Sequence, residues 1–315
     1  MDGTVIAAGL LRFVVEAGLV SISDISQDLG ADISRVLYDC MRFQRTLDQM
    51  DLFDEESARA VRQFCLSYHD IRSIITEFSA RLHLMRHVHE LPRYRQQILA
   101  LEALQVHAPL AHATGNKEVS TELEDLAFNV IFPESYESLD NWLSSYWPHG
   151  STALEECKKK LSAALKNDVK LKPLIEDFTI SARLKSRFST MKKLLKDGRK
   201  PEEIYDIMGL RVVVKPQTNL DEYEAMKRGE EACYRVLEIV MSIWKEIPGR
   251  LKDYISKPKP NGYKSLHVAV HLGTSDLKQP TMELQIRTST MDFIANDGDA
   301  SHSLYKGGLT DPEQV

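Results

Sequence analysis

Residues 282–288 read MELQIRT. At the two-residue period of a strand, Met282, Leu284 and Ile286 fall on one face and Glu283, Gln285 and Arg287 on the other. One side packs into a core while the other carries a carboxylate, an amide and a guanidinium. A solvent-facing edge strand would alternate in the same way, so the pattern fixes a strand without fixing a site. Upstream, GLRVVV (residues 209–214) repeats the signal, with Leu210, Val212 and Val214 alternating against Arg211 and Val213. Asp206 stands just before that strand, in PEEIYDIMG, which reads as a short helix, and can bring a second carboxylate to the same sheet. SLHVAVHL is a further strand, joined to MELQIRT by a polar turn around Gly273 to Pro280, and a long helix before it carries Cys233, Val236, Leu237, Val240, Ile243 and Trp244 on one face. These residues predict an α+β or α/β domain with helices against a small mixed sheet.

Outward from this region the character changes. Before residue 150 the apolar residues recur at helical spacing, as in Phe64, Tyr68, Ile71 and Ile75 or Ile98, Leu101 and Leu104, with little strand alternation. The sequence therefore divides into an all-helical domain, residues 1–150, and a mixed domain, residues 151–315, which opens on an amphipathic helix carrying Leu154, Cys157, Leu161 and Leu165. The halves differ in charge: 12 basic against 22 acidic residues in the first, 28 against 24 in the second. The second half is thus the better partner for phosphate. A composition of 43% hydrophobic and 27% charged residues excludes a fibre or a disordered chain. Cys40, Cys65, Cys157 and Cys233 form no Cys-x-x-Cys pair and read as reduced, mostly buried thiols. No apolar run approaches the ~20 residues of a membrane span, and MDGTVIAAGLL lacks the basic start and cleavage site of a signal peptide. The expectation is a soluble chain.

Three stretches carry candidate chemistry. Arg183, Lys185, Arg187, Lys192, Lys193, Lys196, Arg199 and Lys200 are interrupted by one acid, Asp197, and Ser189 lies near a helix start. Cations beside free backbone N–H groups make an anion site, although a solvated basic face or a nucleic-acid patch would show the same run. Asp206 with Glu283 suits Mg²⁺, which takes few protein ligands and completes its shell from phosphate and water. GRLKDYISKPKPNGYKSLH is a basic loop in which Lys257, Lys259 and Lys264 surround Asn261, Gly262 and Tyr263. A tyrosine in such a turn presents its ring to a base, or serves the turn alone.

ISARLKSRFSTMKKLLKDG, EEIYDIMGLRVVV, GRLKDYISKPKPNGYKSLH, MELQIRT and ASHSLYK, in this order, resemble the synthetase domain of the RelA/SpoT homologues. MDGTVIAAGLL, SARLHLMRHVHELPRYRQQIL, HAPLAHATG and ELEDLAF are similar to that family's helical HD-type hydrolase domain, so the resemblance covers nearly the whole chain. It implies a synthetase domain of nucleotidyltransferase-like fold that transfers pyrophosphate from ATP to the 3′-hydroxyl of GDP or GTP, giving (p)ppGpp and AMP. By motif, Asp206 and Glu283 would hold Mg²⁺, with Glu283 also taking the proton of the attacking hydroxyl. Arg183 and Arg211 would sandwich adenine, which suits arginine rather than lysine. Lys185, Ser189 and Lys193 would grip the ATP phosphates. Tyr263 would stack on guanine, with Asn261, His267, Gln285, Arg287, Lys257 and Lys259 around the acceptor. Arg250, Lys252 and Asp253 match the basic form of the family's charge-signature loop.

The sequence also departs from the family pattern. Ala182 stands where the synthetase motif has Gly, Leu184 where it has Pro, and Asn296 where it has Glu. In the helical half, Arg12 and Phe13 take the place of the His-Asp metal pair, Glu16 and Ala17 that of Glu-Asp, and Ala80, Leu84 and His87 those of Asp, Asn and Thr. Arg and Phe offer no lone pair to Mn²⁺, so the hydrolase domain is expected to be inactive. His69-Asp70 is out of register with the hydrolase motif. The branch most resembled is the calcium-activated RelA/SpoT homologue of plant chloroplasts, which implies a chloroplast location and calcium acting through EF-hands. The 315 residues hold no Asp-x-Asp-x-Asp-Gly loop, so that control lies in a segment they do not include. ATP and GDP or GTP are the expected partners, with no membrane and no nucleic acid. The alternative is a nucleotide-binding regulatory pseudoenzyme.

Overall fold

The computed structural model describes residues 2–146, 150–198, 203–217, 221–272 and 280–296. The ASHSLYK motif, Arg199, Lys200 and most of the turn before MELQIRT lie outside the described residues. By contacts the chain forms two units, divided after Glu137 rather than at residue 150.

In the first unit, α1 (Gly3–Glu16), α2 (Ile22–Leu29), α3 (Ala31–Leu47), α4 (Glu55–Tyr68), α5 (Ile71–Arg86), α6 (Arg93–Glu102), α7 (Ala108–Ala113) and α8 (Lys117–Ile131) follow one another. A π-helical stretch, Ala103–His107, joins α6 to α7. Local chemistry sets several starts. Ser21 and Asp24 form a reciprocal capping box at α2, and Asp54 and Asp70 accept from the first backbone N–H groups of α4 and α5. His69-Asp70 is therefore a helix entry. His69 Nδ1 lies 3.0 Å from Asp39 Oδ1, buried in the unit. The core gathers Phe43, Ile74, Phe78, Met85, Leu110 and Leu123, each fully enclosed side chain contributing about 1.5–3 kcal/mol.

Helix α9 (Pro133–Tyr146) contains the division and begins on proline, which suits a first helical position. Helix α10 (Gly150–Asn167) then buries Leu154, Leu161 and Leu165. The sheet that follows comprises β1 (Ile175–Leu184), β2 (Met208–Pro216), β3 (Lys245–Glu246), β4 (Lys252–Asp253), β5 (Leu266–His271) and β6 (Thr281–Thr288). Its order is β1-β2-β6-β5-β3, with β4 beside β5; β2 and β6 run parallel and every other pair antiparallel. Helix α11 (Arg187–Asp197) separates β1 from β2, and α12 (Glu222–Ile243) follows β2. Ala232, Cys233, Val236, Leu237 and Val240 of α12 pack with Met208, Leu210, Val212, Leu284, Ile286 and Val268 of the sheet. Helix α13 (Ser289–Asn296) leaves β6 without a loop.

Two expectations are corrected. PEEIYDIMG does not carry a helix up to the strand: Glu203 stands in a 3-10 turn, residues 204–207 are irregular, Ile204 is buried and the Ile207 carbonyl accepts from Lys185 N, so tertiary contacts rather than helix hydrogen bonds hold the backbone there. The sequence reading also gave no strand before GLRVVV, whereas residues 175–184 form β1. The register shift between Ile175 and Asp177 affects only its start; Phe178, Ile180, Ala182 and Leu184 do alternate, but Arg183 and the lysine-rich helix that follows mask the strand in the sequence. The thiols are free as expected, with Cys40, Cys65 and Cys233 buried. Burial pushes Cys65 up to about 12.

Candidate active site

The register of the sheet assembles the site. Ser181 pairs with Arg211, Arg183 with Gly209, Gly209 with Glu283, Arg211 with Gln285, and Gln285 with His267. Directly opposed residues share a face, so these side chains line the side of the sheet away from α12. They wall a cavity of about 190 Å³ lined by Ser181, Arg183, Asp206, Arg211, Glu283 and Gln285, among others. Gly209 is also part of the lining and brings no side chain into it. Ala182, in place of glycine, pairs with Leu210 and packs against the apolar core, so its methyl group faces away from the polar face.

Asp206 is the most heavily engaged group. Lys185 Nζ donates to its Oδ2 at 2.7 Å and Lys193 Nζ to its Oδ1 at 2.8 Å. Burial alone would raise this carboxyl, but the two ammonium groups outweigh it and bring it down to about 2. Lys185 is lowered in turn, first by burial and also by neighbouring Lys193 and Arg183, while Lys185 and Lys193 share the one carboxylate. Ser186 caps α11 by accepting from Ser189 N, which places Ser189 in the first turn of the helix that delivers Lys193.

Glu283 is likewise held ionised: burial and the nearby Asp206 raise it, and His267 together with Gln285 outweighs them. Gln285 Nε2 donates to Glu283 Oε2 at 3.2 Å, and His267 Nδ1 lies 3.8 Å from Oε1. On its other side, His267 Nε2 is 2.9 Å from the Tyr263 hydroxyl. A phenol donating to Nε2 leaves the ring proton on Nδ1, toward Glu283. Tyr263 itself is 9% exposed. Asn261 Oδ1 accepts from Tyr263 N, and Gly262 at φ +77° supplies the turn only glycine enters readily. Lys259 Nζ lies 5.4 Å over the Tyr263 ring, and Lys257 is exposed.

Other expected residues fall elsewhere. Arg287 is 2% exposed, does not line the cavity, and pairs with Asp292 of α13, so it is not placed to touch a nucleotide as the motif reading had it. In the charge-signature loop, Arg250 lies 4.3 Å over the Tyr205 ring, Lys252 pairs with His267 in the β4–β5 ladder, and Asp253 accepts from Tyr234 Oη, Ile255 N and Ser256 N. Asp253 therefore organises a turn. The residues that sequence reasoning missed are Tyr205, Tyr254, whose ring meets His267 edge-on at 5.3 Å, and Asp292. None stands in a recognisable pattern; only contact exposes them.

In the helical unit, the position expected to lack a metal ligand carries a buried ion pair. Arg12 Nε donates to Glu77 Oε1 at 2.6 Å and Nη2 to Oε2 at 2.8 Å, while Gln44 also reaches Glu77 and Glu16 accepts from Arg12 Nη1. Phe13 is partly exposed under the Arg12 guanidinium, Ala17 follows α1, Ala80 is buried, Leu84 is half-buried, and His87 is exposed with Nδ1 on the His83 carbonyl. Among the described residues no group of three or more His, Cys, Asp or Glu could hold a metal ion, and no helix is long and apolar enough to cross a membrane.

The family model described as a region found in RelA / SpoT proteins matches residues 182–310, and the HD domain model matches residues 1–116. All 315 residues align at 47% identity with the chloroplastic GTP diphosphokinase CRSH1 of Oryza sativa and at 48% with the probable chloroplastic GTP diphosphokinase CRSH of Arabidopsis thaliana, covering 54% of each. The chain thus spans about half the length of these curated relatives. A guanosine-3′,5′-bis(diphosphate) 3′-pyrophosphohydrolase of Borreliella burgdorferi is 33% identical over 97% of the chain and 42% of that protein. Among solved structures, small alarmone synthetase 2 of Bacillus subtilis aligns over 56% of this chain and 84% of its own at 28% identity, with a TM-score of 0.41. With both domain matches in the expected order and the alignment running unbroken across the chain, this protein belongs to the RelA/SpoT homologue family.

Proposed function

We propose that the chain makes (p)ppGpp, transferring pyrophosphate from ATP to the 3′-hydroxyl of GDP or GTP with release of AMP. The observation that carries this reading is the polar sheet face, on which two carboxylates held ionised, Asp206 and Glu283, open on one cavity with Arg183 and Arg211. The diphosphokinase names of the relatives support it. In this reading Arg183 and Arg211 take the adenine by stacking, while Lys185, Ser189 and Lys193 hold the phosphates. The acceptor lies along Tyr263, Asn261, His267, Gln285, Lys257 and Lys259, and its guanine displaces the Lys259 ammonium from the Tyr263 ring.

Glu283 accepts the 3′-hydroxyl proton as that oxygen bonds to the β-phosphorus; the bond from the β-phosphorus to the α,β-bridging oxygen breaks, and AMP leaves with that oxygen. A depressed pKa keeps Glu283 free of a competing proton, and the Tyr263–His267 chain fixes its orientation. Asp206 and Glu283 fit Mg²⁺, because an all-oxygen donor pair facing one cavity suits a hard cation that keeps water and phosphate ligands. Bound there, the ion would neutralise charge on the transferred phosphates. Until then Lys185 and Lys193 balance Asp206.

The helical domain is read as inactive in hydrolysis, since Arg12 and Glu77 neutralise each other where metal ligands would be needed. Residence in the chloroplast and calcium control through EF-hands outside these residues belong to the same proposal, supported by the chloroplastic relatives for the first and by resemblance for the second. The test is labelled ATP with GDP in Mg²⁺, resolving ppGpp and AMP. Stoichiometric products are expected, falling roughly 10²–10⁴-fold in Glu283→Gln. Nucleotide binding without product, with or without calcium and the missing segment, would leave the pseudoenzyme reading instead.

A further inference from the structure

Arg211 projects from β2 onto the polar face and lines the cavity. One step along the same face is Arg287 on β6, because Arg211 pairs with Gln285 and Val213 with Arg287. Two guanidiniums side by side, largely withdrawn from water, repel each other. Burial and the charge of Arg287 both work against the charged form of Arg211, and Asp292 opposes them. That carboxylate comes from the next element. β6 passes directly into α13, where Thr288 Oγ1 accepts from Met291 N and fixes the first turn over the end of the face. Asp292 thereby pairs with Arg287 and lies 3.8 Å from Arg211 Nη1. Arg211 Nε is buried without a hydrogen-bond partner, and Asp292 is the acid paired with Arg211 among the described residues.

We propose that Asp292 is a positioning residue for the donor nucleotide: shared between Arg287 and Arg211, its carboxylate holds the Arg211 guanidinium against the cavity wall so that its flat face meets the purine of ATP. The inference rests on the reading of Arg211 given above. Arg287 becomes the buried counter-charge that keeps Asp292 in place. A planar cation contributes to stacking only when its plane is fixed, and one side of Arg211 must stay open for the base.

The test measures binding of α,β-methylene-ATP to the whole chain by calorimetry, together with the KM for ATP and for GDP. Asp292→Asn is expected to weaken analogue binding and raise the ATP KM roughly tenfold, the scale of a lost stacking contact, with the GDP KM unchanged. Asp292→Glu should recover part of the loss. Because Asp292→Asn leaves Arg287 buried without its partner, Asp292→Asn with Arg287→Gln is the second arm; it removes the buried pair together and should show the same weakening. In an Arg211→Gln background Asp292→Asn should add nothing. The proposal is overturned if the double variant regains wild-type ATP affinity, if the GDP KM rises in place of that for ATP, or if the two substitutions add. Binding carries the result, so a chain that shows these shifts yet forms no product would fail the synthetase reading and leave this one standing.

Discussion

The Tyr263 side chain combines two functions that substitution can separate. Its ring offers a stacking surface and its hydroxyl bonds His267 Nε2 at 2.9 Å, one step from Glu283. Tyr263→Phe keeps the ring and removes the bond, whose net worth of about 0.5–1.5 kcal/mol predicts a roughly two- to twelvefold fall in kcat with little change in the GDP KM. Tyr263→Ala removes the ring as well, and loss of about 1–3 kcal/mol of stacking should raise the GDP KM fivefold or more, to about 150-fold. Steady-state kinetics with GDP varied checks both, and equal KM values in the two variants would refute the separation. Which of these residues mattered was partly legible in the sequence. Glu283, Gln285 and Tyr263 announced themselves by strand alternation and turn composition. Asp292 did not, because an acid in the first turn of a helix is ordinary until Arg211, 81 positions earlier in the chain, is seen against it.

At the scale of elements, α12 lies close on the sheet, and Gly229 permits it. A Cβ built there would come within 2.9 Å of both Pro216 Cγ and Thr288 Cγ2, at the ends of β2 and β6. Neither atom belongs to a side chain that can swing aside. Gly229→Ala gains about 1 kcal/mol of helix propensity, but overpacking of about 1–3 kcal/mol opposes it. A net loss of stability is expected, read as a lower urea midpoint followed by tryptophan fluorescence. Trp142, Trp147 and Trp244 all lie after Glu137, so this signal reports the sheet unit alone. An unchanged midpoint would mean the helix can shift outward freely. The element-level reading found β2, β5, β6 and α12 because large apolar residues hold their periods there. It missed β1, whose alternation from Phe178 to Leu184 includes the small Ala182 and runs straight into the basic residues leading to α11.

At the scale of the whole molecule, the helical unit carries two buried ionisable groups that its stability depends on. His107, in the π-helical stretch, has its Nδ1 on the Glu102 carbonyl and no partner for its buried Nε2. Burial, with Arg81 nearby, drives its pKa well below 6.5. The folded unit therefore refuses a proton that the unfolded chain accepts below about pH 6.5, so stability is full above that pH and falls by up to about 1.4 kcal/mol per unit on acidification, until the folded pKa is reached. Hydrogen exchange over residues 103–107 between pH 7.5 and 5.5 should show this loss of protection, and His107→Gln should flatten it. Glu77→Gln tests the other buried charge: leaving Arg12 with only the exposed carboxylate of Glu16 should cost the helical unit up to about 3–5 kcal/mol, seen as faster exchange across α1 and α5.

The sequence by itself determined the helical first half, the strands of intact period, the polar face of MELQIRT and the missing metal ligands of the helical domain, because each is written within a window of a few residues. Only the tertiary structure decided that β2 lies beside β6, that Lys185 and Lys193 converge on Asp206, that Arg287 is a buried counter-charge and that Arg12 meets Glu77, 65 residues away. Those pairings depend on how crossovers and helix packing bring distant side chains out of water together, and charge interactions acquire their strength only in that shared low-dielectric setting.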